Sequence, residues 1–229
     1  LFGLWILTSS LSVALFASYI GTSAKAGRVE MLEKLFESKT YSNDIRHVKE
    51  NWSSIKEAYG LIFLHSIIFS FFWLAVPLAL EEAGATYIEM GMIFGFAATP
   101  KIFQVFFGDL ADKIGRHETL VLLSTLLTPV LLGMFYFDSI IMLGGLFFVA
   151  AALTNGMSPA IHSIFDRRAP EEVESELIGF METFKHLGQL VGPAMAGAIA
   201  SAFSLSVSFA AAAFISALIL VYSVRLYRF

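Results

Sequence analysis

No cysteine occurs anywhere in the 229 residues, so the chain makes no disulfide and has no thiolate for catalysis or metal binding. Charge is scarce too: Asp, Glu, Lys and Arg make up 15% of the sequence, against about a quarter in a soluble domain. The net charge of −4 offers no basic surface for nucleic acid. Also missing are a Walker-type phosphate loop, a His-Glu-x-x-His pair, a Gly-x-Ser-x-Gly elbow and any cluster of metal ligands on one helix. An enzyme, a metal site and a cofactor therefore find no support, and work driven by ATP would need another subunit. No basic leader precedes Leu1 and no small-residue cleavage site follows, so the opening apolar run is read as part of a longer parent chain rather than a signal peptide.

What is present is apolar. Hydrophobic residues make up 57% of the chain, and 23 of them are phenylalanine. The charges are clumped, leaving uncharged stretches of about 20 residues, the length a helix needs to cross the hydrocarbon core. Seven spans are predicted, at about 1–20, 60–80, 87–107, 119–137, 139–162, 176–200 and 203–224. Barrel strands are shorter and alternate apolar with polar residues, so an all-α membrane protein is expected instead.

The basic residues fix an orientation. Lys25, Arg28, Lys34, Lys39, Arg46, Lys49 and Lys56 lie in the 21–59 linker, Lys113 and Arg116 in the next basic loop, Arg167 and Arg168 in another, and Arg225 and Arg228 in the tail. The loops at 81–86, around Asp138 and at 201–203 carry none. By the positive-inside rule the basic set is cytoplasmic, with residue 1 extracytoplasmic and the C-terminus inside, in a plasma membrane. Within the linker, Ile45, Val48, Trp52 and Ile55 recur at helical spacing between charged residues. They mark an amphipathic helix that lies along the interface or packs against the bundle, or a solvated connector.

Ionisable side chains at mid-bilayer cost several kcal/mol and so usually face a bundle interior or a watery cavity. The spans at 1–20, 119–137 and 203–224 have no such residue inside. Each of the other four has a polar face. Glu182, Lys185, His186 and Gln189 follow one another at i, i+3, i+4 and i+7. Lys101 and Gln104 share a face with Ala97, with Glu89 near the outer end; Asn155, Ser158, Pro159 and His162 form a third stripe; Ser66, Ser70, Trp73 and Pro77, beside His65, form the fourth. Lys101 has a bland alternative, snorkelling to the surface, and Glu182 and Lys185 can neutralise each other as an i, i+3 pair.

One short stretch is more specific than these patterns. Gly108, Leu110, Ala111, Asp112, Lys113, Gly115, Arg116 and Leu120 stand in the order of the loop signature of the major facilitator superfamily, which this chain resembles. The resemblance implies a secondary transporter working by alternating access, with two six-helix halves, each of two inverted three-helix repeats, around a midplane site. In that register residues 1–20 are the last helix of the otherwise missing N-terminal half, 21–59 the cytoplasmic linker between halves, and 60–229 the C-terminal six-helix half. The third helix of each triplet lies outside the bundle in the family, which fits the three spans that lack polar interiors. A rival register makes 60–229 the N-terminal half. It leaves the linker without a place and puts Ala152 where members often carry an arginine, four residues before Gly156.

The resemblance also implies roles. Gly108, Asp112, Gly115 and Arg116 are expected to form a tight turn that holds the cytoplasmic side shut against the other half. Gly188, Gly192, Pro193 and Gly197 resemble the glycine-proline run of the fifth helix of a half, where small residues permit close packing and a bend. Glu182, Lys185, His186, Gln189, Lys101, Gln104, Asn155 and Trp73 are the cavity and coupling candidates. The expected partners are a small-molecule substrate, protons or ions, the lipid bilayer and the N-terminal half. A non-transporting membrane sensor or scaffold with the same fold is the alternative function.

Overall fold

Hydrocarbon offers no hydrogen bonds, so a backbone that crosses it has to satisfy its own polar groups. The computed structural model describes residues 38–227, and all their regular structure is helical. The expected span 1–20 and the linker up to residue 37 lie outside the described residues. In chain order the elements are α1 (Ser38–Glu82), α2 (Tyr87–Ala98), a 3₁₀ turn (Thr99–Phe103), α3 (Gln104–Ile114), α4 (Arg116–Tyr136), α5 (Ile140–Asp166), a second 3₁₀ turn (Glu171–Val173), α6 (Glu174–Ala202) and α7 (Leu205–Tyr227). Two compact units divide the chain, Leu1–Lys49 and Glu50–Phe229. Of the first, residues 38–49 are described and are helical. The second holds the rest of α1 and every element from α2 to α7.

Four helices in the described residues are long and apolar enough to cross a membrane, and the bent pair α2–α3 adds a fifth if it is one span. At 29 residues α6 is long enough as well, but Glu182, Lys185, His186 and Gln189 lower its hydropathy. The described residues are thus all-α, and the protein is multi-pass.

Two sequence expectations are corrected. The predicted span 87–107 is not one helix. It breaks at Thr99–Phe103, and its two parts are bent by 45°. Pro100 contributes to the break: it has no N–H for the Phe96 carbonyl four residues back, and its ring crowds that position. Phe96 O accepts instead from Thr99 Oγ1 at 2.7 Å and from the Thr99 backbone N–H. The signature, expected to be a loop from Gly108 to Leu120, is helix up to Ile114 and again from Arg116. Only Gly115 is non-helical, with φ +102°, a conformation that costs residues with a Cβ. The amphipathic helix expected around Ile45–Ile55 is part of α1, which runs on without a break through residues 50–59. There Ile55 is fully buried and the Trp52 ring lies 6.4 Å from that of Phe184, so this face packs on the bundle.

Helix ends are capped where the chain turns. Thr86 and Glu89 form a capping box on α2: Glu89 N–H donates to Thr86 Oγ1 at 3.3 Å, and Thr86 N–H donates to Glu89 Oε2 at 2.7 Å. Glu89, placed from the sequence near the outer end of its span, caps α2 at that end.

Small residues set the helix packing. α4 packs extensively on α7 and on α5. Thr128 Oγ1 donates to Ser216 Oγ at 3.0 Å across the contact with α7, amid Leu127, Leu131 and Ile219. α1 and α6 cross at Gly188 and Gly192, which lie against the α1 backbone near Phe63 and Ile67.

The connections sort into two ends. The Gly115 turn and the Arg167–Arg168 connection share a cleft of about 250 Å³ that includes Asp112, Arg116 and His117. Ala83, Phe137, Asp138 and Ser206 share another, of about 530 Å³, at the opposite end. The first end carries arginines; the residues lining the second include Glu82 and Asp138 and no basic side chain.

Candidate functional site

The four polar stripes meet. A cavity of about 140 Å³ is lined by His65 and Ser66 of α1, Gln104 of α3, Asn155, Ser158 and His162 of α5, and Lys185 and Gln189 of α6. A second, of about 60 Å³, adjoins it and shares Phe69, Thr154 and Asn155 as walls. Its own lining is aromatic, with Phe72 and Trp73 of α1, Phe94 of α2 and Phe147 of α5, and it includes Lys101 at the helix break. Neither α4 nor α7 contributes a side chain to either cavity. A helix repeats every 3.6 residues, so each stripe presents one face, and part of each of the four faces lines the two adjoining cavities.

Hydrogen bonds position this lining. His65 Nε2 lies 2.8 Å from the Thr154 carbonyl oxygen. A carbonyl only accepts, so Nε2 carries the proton and donates. His162 Nδ1 likewise donates to Ser158 O at 2.8 Å, which leaves its other nitrogen for a solute or water. Gln104 Nε2 donates to Asn155 O at 3.2 Å and ties α3 to α5 just below the break. The Asn155 amide donates to Ala151 O at 2.7 Å.

The sequence candidates divide accordingly. Lys101, Gln104, Asn155, Trp73, Lys185 and Gln189 line the two cavities. Glu182 and His186 do not. Glu182 accepts from Lys185 Nζ at 2.8 and 3.1 Å, so it reaches the polar cavity only through that lysine. His186 is exposed, with Nδ1 donating to Gln189 Oε1 at 3.0 Å and Nε2 3.9 Å from Glu182. Lys101 is exposed, and its Nζ lies 5.7 Å from the Phe69 ring centroid beside the smaller cavity. That is cation–π distance.

The aromatic wall was not singled out from the sequence. Phe94 and Phe147 are 5.0 Å apart by ring centroids, Phe72 and Phe147 5.5 Å, and Trp73 and Phe94 5.8 Å. Nothing local marked them: Phe94 and Phe147 lie on other helices than Trp73, Phe72 is its chain neighbour, and phenylalanine is common throughout this chain.

At the basic end, Arg116 joins two elements. Its Nη1 donates to Ser163 O of α5 at 2.9 Å, and its Nη2 lies 3.8 Å from Asp112 Oδ1. Asp112 is largely exposed. Arg168 pairs with Glu57 of α1 at the same end. Gly108 is helical and takes no part in the turn. Of the glycine-proline run, Gly188 and Gly192 make close contacts with α1. Gly197 is looser, since a Cβ there would meet only Leu74 Cδ2 at 3.6 Å. Helix α6 continues unbroken through Pro193.

Comparison with known proteins agrees with this architecture. The sequence profile of the Major Facilitator Superfamily matches residues 58–228. Among curated relatives, an uncharacterized MFS-type transporter of Bacillus subtilis, YuxJ, is 28% identical over 108 residues, which are 47% of this chain and 28% of that protein. A multi-drug resistance efflux pump PmrA homolog of Lactococcus lactis is 31% identical over 100 residues, 43% of this chain and 24% of that protein. The multidrug resistance protein MdtG of Yersinia enterocolitica is 24% identical over 102 residues, 44% of this chain and 25% of its own length. The chain thus covers well under a third of each of these relatives. With three quarters of its length inside the family profile and the signature turn at Gly115 in place, the chain belongs to the Major Facilitator Superfamily.

Proposed function

We propose that this protein moves a small solute across the membrane by alternating access, with the adjoining cavities among α1, α2–α3, α5 and α6 as its share of the solute pathway. The observation that carries the reading is the convergence of four polar stripes on one space. Isolated polar residues in a bundle serve as local hydrogen-bond glue. Lys101 on one of the adjoining cavities, and Lys185, His65 and His162 on the other, support a wetted pathway, because each would be costly against hydrocarbon.

In this reading residues 60–229 are the C-terminal six-helix half, built as two inverted repeats. Residues 1–20 are the last helix of the N-terminal half, and 21–59 link the two. The basic end with Arg116, Arg167 and Arg168 faces the cytoplasm by the positive-inside rule, in the plasma membrane. The Gly115 turn closes that side against the N-terminal half. Glu182 and His186 are the titratable coupling candidates, and Lys185 connects them to the cavity. Two of the relatives carry multidrug efflux or resistance names, so export of small, mainly apolar solutes is the direction proposed.

The test is flux by the whole protein in proteoliposomes under an imposed proton gradient, with Glu182→Gln alongside. Gradient-driven flux, reduced about tenfold or more in Glu182→Gln at unchanged melting temperature, is the expected result. Flux that ignores the gradient would overturn the coupling. No flux of any candidate solute would favour the sensor or scaffold.

A further inference from the structure

The shape and charge of the two cavities narrow the solute. We infer that this site recognises an amphipathic organic anion, a planar aromatic ring bearing a carboxylate, with the ring against Trp73, Phe94 and Phe147 and the carboxylate on Lys101. The inference rests on the transporter reading above and deepens it by naming a substrate class.

Three observations carry it. First, the smaller cavity is walled by aromatic rings from three elements, α1, α2 and α5, at mutual centroid distances of 5.0 to 5.8 Å. Such walls favour a flat ring that stacks or meets them edge-on. Trp73 is 61% exposed and offers an open indole face rather than a filled core position.

Second, the charge at the mouth of this cavity is positive. Among the described residues, Lys101 makes no ion pair; its ammonium lies over the Phe69 ring. The cavity lining has no carboxylate. Lys185 in the adjoining cavity is already neutralised by Glu182 at 2.8 Å. Lys101 is therefore the cation left to bind an anion. An ammonium ligand would have aromatic faces to meet but would be repelled by that lysine.

Third, the lysine is placed by the break in the α2–α3 helix. Pro100 ends the regular helix, and Lys101 projects from the 3₁₀ turn towards Phe69. Phe69 lies nine residues into the apolar part of α1, about 14 Å along a helix from Gly60 and so near the middle of a hydrocarbon core of about 30 Å. Interrupted helices in secondary transporters mark binding sites near the midplane. In an ordinary helix the same lysine would be free to snorkel. Here the ammonium lies 5.7 Å from the Phe69 ring centroid, beside the aromatic lining.

The experiment is calorimetric titration of the full chain in lipid nanodiscs with three matched probes: 2-naphthoate, the neutral 2-naphthamide and the cationic 2-naphthylmethylammonium. The acid is expected to bind at least about tenfold tighter than either analogue, as a charge-assisted contact implies. Lys101→Gln should abolish that preference, Lys101→Arg should keep it, and Trp73→Ala should weaken the acid while leaving the protein folded. Equal binding of the acid and the amide, tighter binding of the ammonium, a preference that survives Lys101→Gln, or no binding of any probe would overturn the inference. Failure of the transporter reading looks different. There the acid would bind with Lys101-dependent preference while the whole protein in proteoliposomes moved none of it.

Discussion

Gly192 of α6 lies so close to Ser70 of α1 that a Cβ on the glycine would stand 2.2 Å from Ser70 Oγ and 2.4 Å from the Ile67 carbonyl oxygen. Both distances are far inside van der Waals contact, so the helices can approach this closely only because the glycine has no side chain.

The consequence is measurable. Replacing glycine by alanine inside a helix normally gains up to about 1 kcal/mol of helix propensity. Here the clash with the α1 backbone outweighs that gain, and Gly192→Ala should destabilise by about 1–3 kcal/mol. Removing the Ser70 hydroxyl in addition should not rescue it, because the Ile67 carbonyl remains. Gly197→Ala, with only Leu74 Cδ2 at 3.6 Å, should be neutral or stabilising. Melting temperatures of these variants and the parent in detergent decide this, and a tolerated Gly192→Ala would refute the packing.

The two signature glycines should behave oppositely. Gly115 has φ +102° and Gly108 is helical with open space where a Cβ would go. Gly115→Ala should cost about 1–3 kcal/mol, because φ +102° with ψ 149° is a combination that essentially only glycine adopts, while Gly108→Ala should leave stability equal or higher. If Gly108→Ala nonetheless lowers flux, its role is contact with the rest of the transporter and not turn formation.

Arg116 and Asp112 should separate stability from gating. The hydrogen bond from Arg116 to Ser163 O ties α4 to α5, and a charged donor of this kind contributes about 1.5–3 kcal/mol. The Asp112 contact is at 3.8 Å and largely exposed, so screening leaves it little weight. Arg116→Ala should lower the melting temperature, and Asp112→Asn should leave it unchanged. A drop in flux for Asp112→Asn at constant melting temperature, read in proteoliposomes, would place the carboxylate in the gate.

These contrasts also mark what could be read from the sequence. The stripe on α6 was legible because Glu182, Lys185, His186 and Gln189 keep helical spacing in an otherwise apolar run. The family was legible because Gly115 and its neighbours are short-range and ordered. The break at Thr99–Phe103 was missed because hydropathy stays high on both sides of it; Thr99-Pro100 was its only local mark. The signature looked like a loop because Asp109, Asp112 and Lys113 are charged, yet charge does not stop a helix and the glycine at 115 does. The aromatic wall of Phe94 and Phe147 could not be picked out from 23 phenylalanines, since facing inward is a property of the assembled helices.

The central claim is that polar faces of four elements enclose a water-accessible pathway. Because this chain has no cysteine, introduced thiols report only their own sites. The most direct measurement is the labelling rate of single cysteines by a charged, membrane-impermeant thiol reagent in vesicles containing the whole protein, with any other native thiols removed. Gln104→Cys, Ser158→Cys and Gln189→Cys on the cavity should react and be slowed by bound solute. Leu122→Cys and Leu218→Cys, exposed on the outer faces of α4 and α7, should stay unlabelled in lipid, because the thiolate that reacts does not form there. Labelling of all five alike, or of the outer pair alone, would contradict the account.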